Sequence, residues 1–304
     1  AALLVSIFLL PSPASAPLLG PDGGGYRLID TAEPANPHAP PFAFVPIAGT
    51  VVALGDEAFT VAIPIGFNFT YYGVVQTQVF ICDNGYVSFT GDTVDLSPNA
   101  IPTAATPNSF IAANWADLDP TLGGTVTFST TGVAPNRVFT VEWLNIQQFG
   151  GGNPVRVQCL LFEECNDIEV RIDDGGSNGG NCCVGIEDPT GAIGLQYFFG
   201  PATAPDAALD NRNIRFTTRP ITADPAGYFS IDSCDPPNIG TPAFAFTPIT
   251  GTPLVLGDDE VSAAIPLGFT FTFYGTAFTQ AFVSSNGFVS LTGDANGCCS
   301  GVAP

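Results

Sequence analysis

Few side chains in this sequence could act as catalytic bases or activated nucleophiles. The 304 residues contain one histidine, His38, and no methionine, and all seven cationic residues are arginine. Without lysine, the chain cannot form a Schiff base, a lysine isopeptide cross-link or the lysine contact of a P-loop. One histidine leaves a Ser-His-Asp triad a single candidate base and excludes a multi-histidine metal site. Because His38 lies in a Pro-rich stretch, we expect no catalytic residues, and a hydrolase is the disfavoured class.

Carboxylates offer a different chemistry, because Ca²⁺ prefers hard oxygen ligands in loops. Asp117 and Asp119 alternate after Trp115 and are the candidate calcium ligands. No EF-hand loop or calcium-binding nonapeptide is present, and turn carboxylates that cap hairpins would explain the same residues. We expect no cofactor, with calcium left open. The sequon Asn68-Phe-Thr70 would permit glycosylation if Asn68 faces outward.

The eight cysteines indicate an oxidising compartment, because none has the CxxC spacing of a zinc or redox motif. We expect structural disulfides, and the sequence does not choose among the pairings. The candidates are Cys82, Cys159, Cys165, Cys182, Cys183, Cys234, Cys298 and Cys299.

The composition indicates many short strands and an acidic surface. Gly 34, Pro 28 and Phe 25 accompany abundant Val, Ile and Thr, which favours strands joined by tight turns. The formal net charge of −21 argues against nucleic acid as a partner, since phosphates require clustered Arg and Lys. The sequence therefore predicts an all-β protein, an antiparallel, jelly-roll-like β-sandwich.

The start of the chain allows two interpretations. Residues 1–16 contain the apolar run Ala-Leu-Leu-Val-Ser-Ile-Phe-Leu-Leu at positions 2–10, which is too short to span a bilayer as a helix. It is either the remnant of a secretory signal peptide or a retained strand. We expect no transmembrane span. Residues 17–41 are rich in Pro and Gly and predict an extended arm.

An internal repeat organises the rest of the sequence. Residues 42–92 and 244–294 align without a gap at an offset of 202 residues, and 29 of the 51 pairs are identical. In each copy aromatic residues alternate with polar ones, which predicts a strand with one core face. Asn84-Gly85 and Asn286-Gly287 predict hairpin turns.

The repeat divides the chain into modules. Strand-like runs continue after the first copy, so residues 42–219 predict one complete sandwich, followed by a linker at 220–243. The second copy, residues 244–304, lacks the corresponding later strands. The predicted later strands of the first module are 126–128, 138–143, 155–162, 168–172, 183–186, 194–199 and 214–216.

A partial second module would expose half of a hydrophobic core and open strand edges. We expect a strand from a neighbouring copy to complete it, and a head-to-tail contact of this kind produces a filament. The expected donor residues are Leu3, Leu4, Val5, Ile7, Phe8, Leu9 and Leu10. The expected acceptor residues are Phe269, Phe271, Phe273, Phe282 and Phe288.

Several segments resemble nidogen-like modules. They are Ile111–Asp119, Gly123–Phe128, Phe139–Trp143 and Val157–Leu160, and Leu267–Gly275 with Ser284–Phe288 is similar to the usual opening of the bacterial version. The resemblance covers residues 42–219 fully and 244–294 in part. It implies an extracellular, non-catalytic module of secreted or surface proteins, associated with adhesion or matrix assembly, and supplies no catalytic residues to transfer.

Two functions remain open. The first is a secreted, non-enzymatic filament or surface-appendage subunit whose partners are other copies of itself. The alternative is an adhesion or accessory module of a larger secreted protein, with a cell-surface or matrix ligand and a signal-peptide remnant.

Overall fold

A computed structural model describes residues 19–91, 93–176, 178–201, 208–235 and 246–293. These residues form two compact units. The first unit comprises the described residues up to Asp224 and from Tyr228 to Asp235, and the second comprises Pro225–Gly227 and 246–293. Among the described residues the helical structure is limited to the short 3₁₀ turn Pro120–Leu122. The prediction of an antiparallel all-β sandwich is confirmed.

The strands of the first unit follow one another through short turns. They are β1 (Arg27–Asp30), β2 (Thr50–Val52), β3 (Ile63–Tyr71), β4 (Val74–Ile81), β5 (Tyr86–Ser88), β6 (Phe110–Trp115), β7 (Leu118–Asp119), β8 (Thr125–Thr131), β9 (Val138–Gln148), β10 (Val155–Phe162), β11 (Ile168–Asp174), β12 (Asn181–Glu187), β13 (Gly194–Pro201) and β14 (Arg212–Thr217). The second unit has β15 (Ile265–Phe273), β16 (Thr276–Val283) and β17 (Val289–Ser290).

Two antiparallel sheets form the first unit. The larger has eight strands in the order β1-β14-β11-β10-β9-β8-β2, with β7 paired to β9. The smaller has six strands in the order β13-β12-β6-β5-β4-β3. The second unit is a three-stranded sheet in the order β15-β16-β17. Each of the seven later strands that the sequence predicts lies within one of β8–β14.

One hydrophobic core lies between the two sheets of the first unit, and both sheets contribute side chains to it. Strand β3 shows why the sequence folds this way, because its odd-numbered residues from Ile63 to Tyr71 are buried while the residues between them are mostly exposed. The buried Tyr71 hydroxyl donates to the Phe110 carbonyl oxygen at 2.6 Å and accepts from the Glu187 N–H at 3.1 Å. Tyr71 therefore links β3 to β6 and β12.

A smaller cluster covers the outer face of the six-stranded sheet. It contains Cys82, Tyr86, Phe110 and Trp115, with Ile101 from the loop that follows β5. Strand β6 therefore has both of its faces covered, and all six of its residues are buried.

Two predicted segment boundaries differ from the structure. Residues 17–41, predicted as an extended arm, contain β1, which pairs with β14 from Arg27↔Thr217 to Asp30↔Ile214. The predicted linker at 220–243 contains buried Ile221 and Asp235. Both segments contain many Pro and Gly residues, and the residues that pack are few and widely spaced. No periodic pattern long enough to predict a strand therefore appears in either segment.

Candidate functional site

The sheet of the second unit repeats the local structure of β3–β5 residue by residue. The register of β15 with β16 runs from Ile265↔Ala281 to Phe273↔Thr276, which is the β3–β4 register shifted by the 202-residue offset of the repeat. The turn geometry is also shared, since Tyr72 and Tyr274 have φ values of 45° and 47° and each precedes a glycine. The repeated sequence therefore fixes the same hairpin twice.

The two copies differ in how far the aromatic side chains of their inner faces are exposed. Phe67, Phe69 and Tyr71 are 7%, 0% and 0% exposed inside the first unit. Their counterparts Phe269, Phe271 and Phe273 are 61%, 42% and 40% exposed. We call this exposed inner face of the three-stranded sheet the acceptor face. Contiguous exposed aromatic residues of this kind are typical of interaction surfaces.

Two of the five predicted acceptor residues, Phe282 and Phe288, do not lie on the acceptor face. Phe282 corresponds to Phe80 and alternates with Ala281 and Val283, so its side chain lies on the opposite face of β16. Phe288 corresponds to Tyr86, a member of the outer cluster of the first unit. Residue type alone does not separate these five phenylalanines, whereas the alternation of side chains along a strand places them on two different faces of the sheet.

Part of the predicted site lies outside the described residues. This applies to the whole donor set, Leu3, Leu4, Val5, Ile7, Phe8, Leu9 and Leu10, and to Cys298 and Cys299. Donation by this run stays a prediction.

A second group with potential chemistry is formed by three carboxylates. Asp56, Glu57 and Asp117 each offer an oxygen atom, and these atoms lie within 4.8 Å of one another. Burial, followed by the charges of Asp83, Asp117 and Asp56, raises the pKa of Glu57 to about 7. Asp117 was a predicted calcium ligand, and its pKa is raised by burial and by Asp56 and Asp119.

Asp119, the other predicted calcium ligand, is not part of this group. Its Oδ1 accepts from the N–H of Thr121 at 2.8 Å and caps the 3₁₀ turn. The sequence allows turn capping as the alternative to calcium binding for these acidic residues, and turn capping is what the structure shows for Asp119. Calcium binding stays a prediction for Asp117, which the structure places beside Asp56 and Glu57 instead of Asp119.

His38 lies in a buried ionic cluster that the sequence did not predict. The ring is 1% exposed, and Nδ1 lies 2.7 Å from Oδ1 of Asp235. Arg215 contacts the carboxylates of both Asp167 and Asp235, and Arg219 Nη2 lies 3.0 Å from Asp167 Oδ2. The sequence gives little indication of this cluster, since its residues come from four separate segments. The cluster explains why residues 228–235 pack on the first unit.

One of the candidate disulfides is present. Cys165 in the β10–β11 turn is bonded to Cys234 beside the ionic cluster, and both arginines of that cluster donate to the Cys234 carbonyl oxygen. Cys82, Cys159 and Cys183 are buried thiols, which differs from the prediction. Cys182 is buried in the main core. Cys183 lies on β12 and Cys82 directly follows β4, and strands β5 and β6 lie between them in the sheet, so the two cysteines are about 14 Å apart. The Cα atoms of a disulfide lie within about 7 Å of each other.

Asn68, the candidate glycosylation residue, lies on the exposed side of β3. Its position meets the condition set by the sequence, namely that the side chain faces outward. Glycosylation itself stays a prediction.

The fold and the site define a class of protein, namely an all-β sandwich module that carries a second copy of its own opening hairpin, whose inner-face phenylalanines are exposed among the described residues. The family model described as NIDO related matches residues 38–226 and 239–302. The chain therefore belongs to the NIDO-related family, which confirms the resemblance to a nidogen-like module. No curated protein and no solved structure matches the chain. Within the described residues, no helix is both long and apolar enough to cross a membrane.

Proposed function

We propose that this protein is a non-enzymatic, secreted structural subunit that associates with other copies of itself through the acceptor face. The observation that carries the proposal is the reversal of burial between the two copies of the hairpin. Full burial of a phenylalanine is worth about 2 kcal/mol, so covering Phe269, Phe271 and Phe273 provides a substantial driving force for association.

The proposed cover is a β-strand from residues 2–10 of a neighbouring copy. That run is apolar and of strand length, as β-strand addition requires. In such a head-to-tail contact one end of each copy binds the other end of the next, which builds a filament at the cell surface when the rotation between successive copies does not close a ring.

An extracellular location is supported by the family and by the Cys165–Cys234 disulfide, because disulfides persist in oxidising compartments. A non-enzymatic role is supported by the position of His38, the one histidine of the sequence, which is buried against Asp235. A general base must reach the proton that it abstracts.

The test compares the full chain with two variants in light scattering and electron microscopy. We expect the wild-type protein to form filaments, and we expect both a deletion of residues 1–10 and the double variant Phe271→Ser with Phe273→Ser to remain monomeric. Val133→Ser, at a 78% exposed apolar residue of the first unit, is the matched control and should assemble normally.

A peptide of residues 1–12 provides a second measurement that does not depend on the folding of a variant. It should bind the protein lacking residues 1–10 with one-to-one stoichiometry. Filaments formed without residues 1–10 would contradict strand donation. A wild-type protein that stays monomeric would favour the alternative, a module of a longer secreted protein whose other residues cover the acceptor face.

A further inference from the structure

The two edges of the β3–β5 sheet are closed in different ways in the first unit. The β5 edge is paired with a strand, β6, from Tyr86↔Ala112 to Ser88↔Phe110. Backbone hydrogen bonds continue this pairing beyond the strand ends. The Phe89 N–H donates to the Ser109 carbonyl oxygen at 2.9 Å, and the Ala113 N–H donates to the Gly85 carbonyl oxygen at 3.1 Å.

The β3 edge is closed by side chains of the opposite sheet. Thr130 Oγ1 donates to the Ile65 carbonyl oxygen at 2.9 Å. Arg137 Nη1 donates to the Gly66 carbonyl oxygen at 2.6 Å. The Thr70 N–H donates to Asn166 Oδ1 at 2.7 Å. Strand β3 is thus the last strand of its sheet, and polar side chains satisfy its outer groups as an edge strand requires.

In the second unit β15 corresponds to β3 and β17 corresponds to β5. Both are outer strands of their sheet, since the strand order is β15-β16-β17. Phe89 and Gly85 correspond to Leu291 and Gly287 at the 202-residue offset. Among the described residues, the Leu291 N–H and the Gly287 carbonyl oxygen have no hydrogen-bond partner. These groups are placed to receive a strand.

We infer that the donor strand binds antiparallel to β17 along its free edge, in the position that β6 has beside β5. This inference rests on the proposed function. The register follows from the first unit: the donor residue opposite Val289 occupies the position of Ile111 and points toward the acceptor face. Its two neighbours along the donor take the positions of Phe110 and Ala112 on the other face.

The burial of β6 also limits which segment can be the donor. Because both faces of β6 are covered, its replacement must be apolar at successive positions rather than at alternate ones. Residues 2–10 of a second copy meet this requirement, with Ser6 as the one polar residue. A strand with one polar face, such as β3, does not.

Three variants of the full chain test which edge is used. Leu291→Pro removes the N–H that faces the donor, and Leu291→Ala is its control because it shortens the same side chain and keeps the N–H. Thr272→Pro removes the N–H that corresponds to Thr70, at the β15 edge. We expect Leu291→Pro to reduce the sedimentable filament mass at least tenfold, and the other two variants to stay within twofold of the wild type.

Hydrogen exchange avoids the risk that a proline variant unfolds β17. Binding of the residue 1–12 peptide to the protein lacking residues 1–10 should slow exchange of the Val289 and Leu291 amides at least tenfold. Slower exchange at Thr272 instead would overturn the inference and place the donor on β15. Peptide binding without protection at either edge would also overturn it while leaving self-association intact. Absence of peptide binding would contradict the proposed function itself.

Discussion

At Glu57, partial burial and three neighbouring carboxylates act in the same direction, and they raise its pKa to about 7 from an ordinary value of 4.5. Asp83, whose carboxylate accepts from the N–H groups of Glu57 and Ala58, has its pKa raised to about 6 by burial. Each of these two carboxyl groups has a higher pKa in the native state than in the unfolded state. At a pH between its two pKa values, the native state therefore binds more protons than the unfolded state does. Their stabilising contribution is therefore present at low pH and is lost as the pH rises toward 7.

The Glu57→Gln variant should weaken this pH dependence. We expect the urea midpoint of the wild-type first unit to fall between pH 5 and pH 8, and the variant to show a smaller fall, because its neutral side chain does not ionise. Glu164→Gln, at an exposed glutamate outside the group, is the control and should keep the wild-type profile. Equal profiles for the wild type and Glu57→Gln would contradict the assigned cause.

The same measurement tests calcium. If Asp56, Glu57 and Asp117 bind Ca²⁺, millimolar calcium should raise the wild-type midpoint at pH 8, where the carboxylates are charged, and should have less effect on Glu57→Gln. An unchanged midpoint at pH 8 would contradict calcium binding at this group.

At the scale of the elements, the disulfide holds the segment after β14 onto the sandwich. Cys165 and Cys234 are 69 residues apart in sequence, so the bond closes a long loop and restricts the unfolded chain. It also lies beside the cluster in which His38 and Asp235 meet. This one bond therefore stabilises both the fold and the packing of residues 228–235.

Replacing both cysteines with serine should lower the free energy of unfolding by about 2–5 kcal/mol. Urea denaturation of the wild type with and without a reducing agent measures the effect, and the double serine variant should not respond to the reducing agent. A reduced wild-type protein that is as stable as the oxidised one would show that the loop is held by the ionic cluster alone.

The sequence predicts the strands in which an alternating pattern extends over many residues, and it misses the shortest strands. The alternating aromatic residues of β3 and β15, the hairpin turns and the strands from β8 onward follow from period-two patterning. The four residues of β1 do not, because a strand so short within Pro-rich sequence has no detectable period. The ionic cluster depends on contacts between residues such as His38 and Arg215, whose 177-residue separation only the fold can close.

For the acceptor, the sequence predicts the inner-face residues Phe269, Phe271 and Phe273 and misassigns Phe282 and Phe288. The repeat shows that a hairpin is duplicated, while the structure shows which of its faces is left uncovered. The edge that we infer to receive a strand follows only from the pairing of β5 with β6, a contact between residues 22 or more positions apart.

At the scale of the whole molecule, the charge of each copy opposes assembly. A formal net charge of −21 makes neighbouring copies repel one another, and the range of that repulsion shortens from about 30 Å at 0.01 M salt to about 8 Å at 0.15 M. The proposed apolar contact at the acceptor face would be much less sensitive to salt.

We therefore expect the concentration needed for assembly to fall as sodium chloride rises from about 10 mM to about 150 mM. Light scattering at a series of protein concentrations measures the concentration at which assembly begins. The protein lacking residues 1–10 is the control and should stay monomeric throughout. Filaments that dissociate as salt is added would indicate that attraction between opposite charges, rather than apolar burial, holds the copies together.

Two hairpins with one register and one inward pattern create a competition during folding, because either could enter the single vacancy in the sandwich. Their difference at one position favours the correct outcome. The hydroxyl of Tyr71 donates to the Phe110 carbonyl oxygen and accepts from the Glu187 N–H, whereas Phe273, in the same place, could form neither of these buried hydrogen bonds. The Tyr71 hydroxyl therefore disfavours exchange of the two copies, which would leave the later hairpin free for the proposed contact with a neighbouring copy.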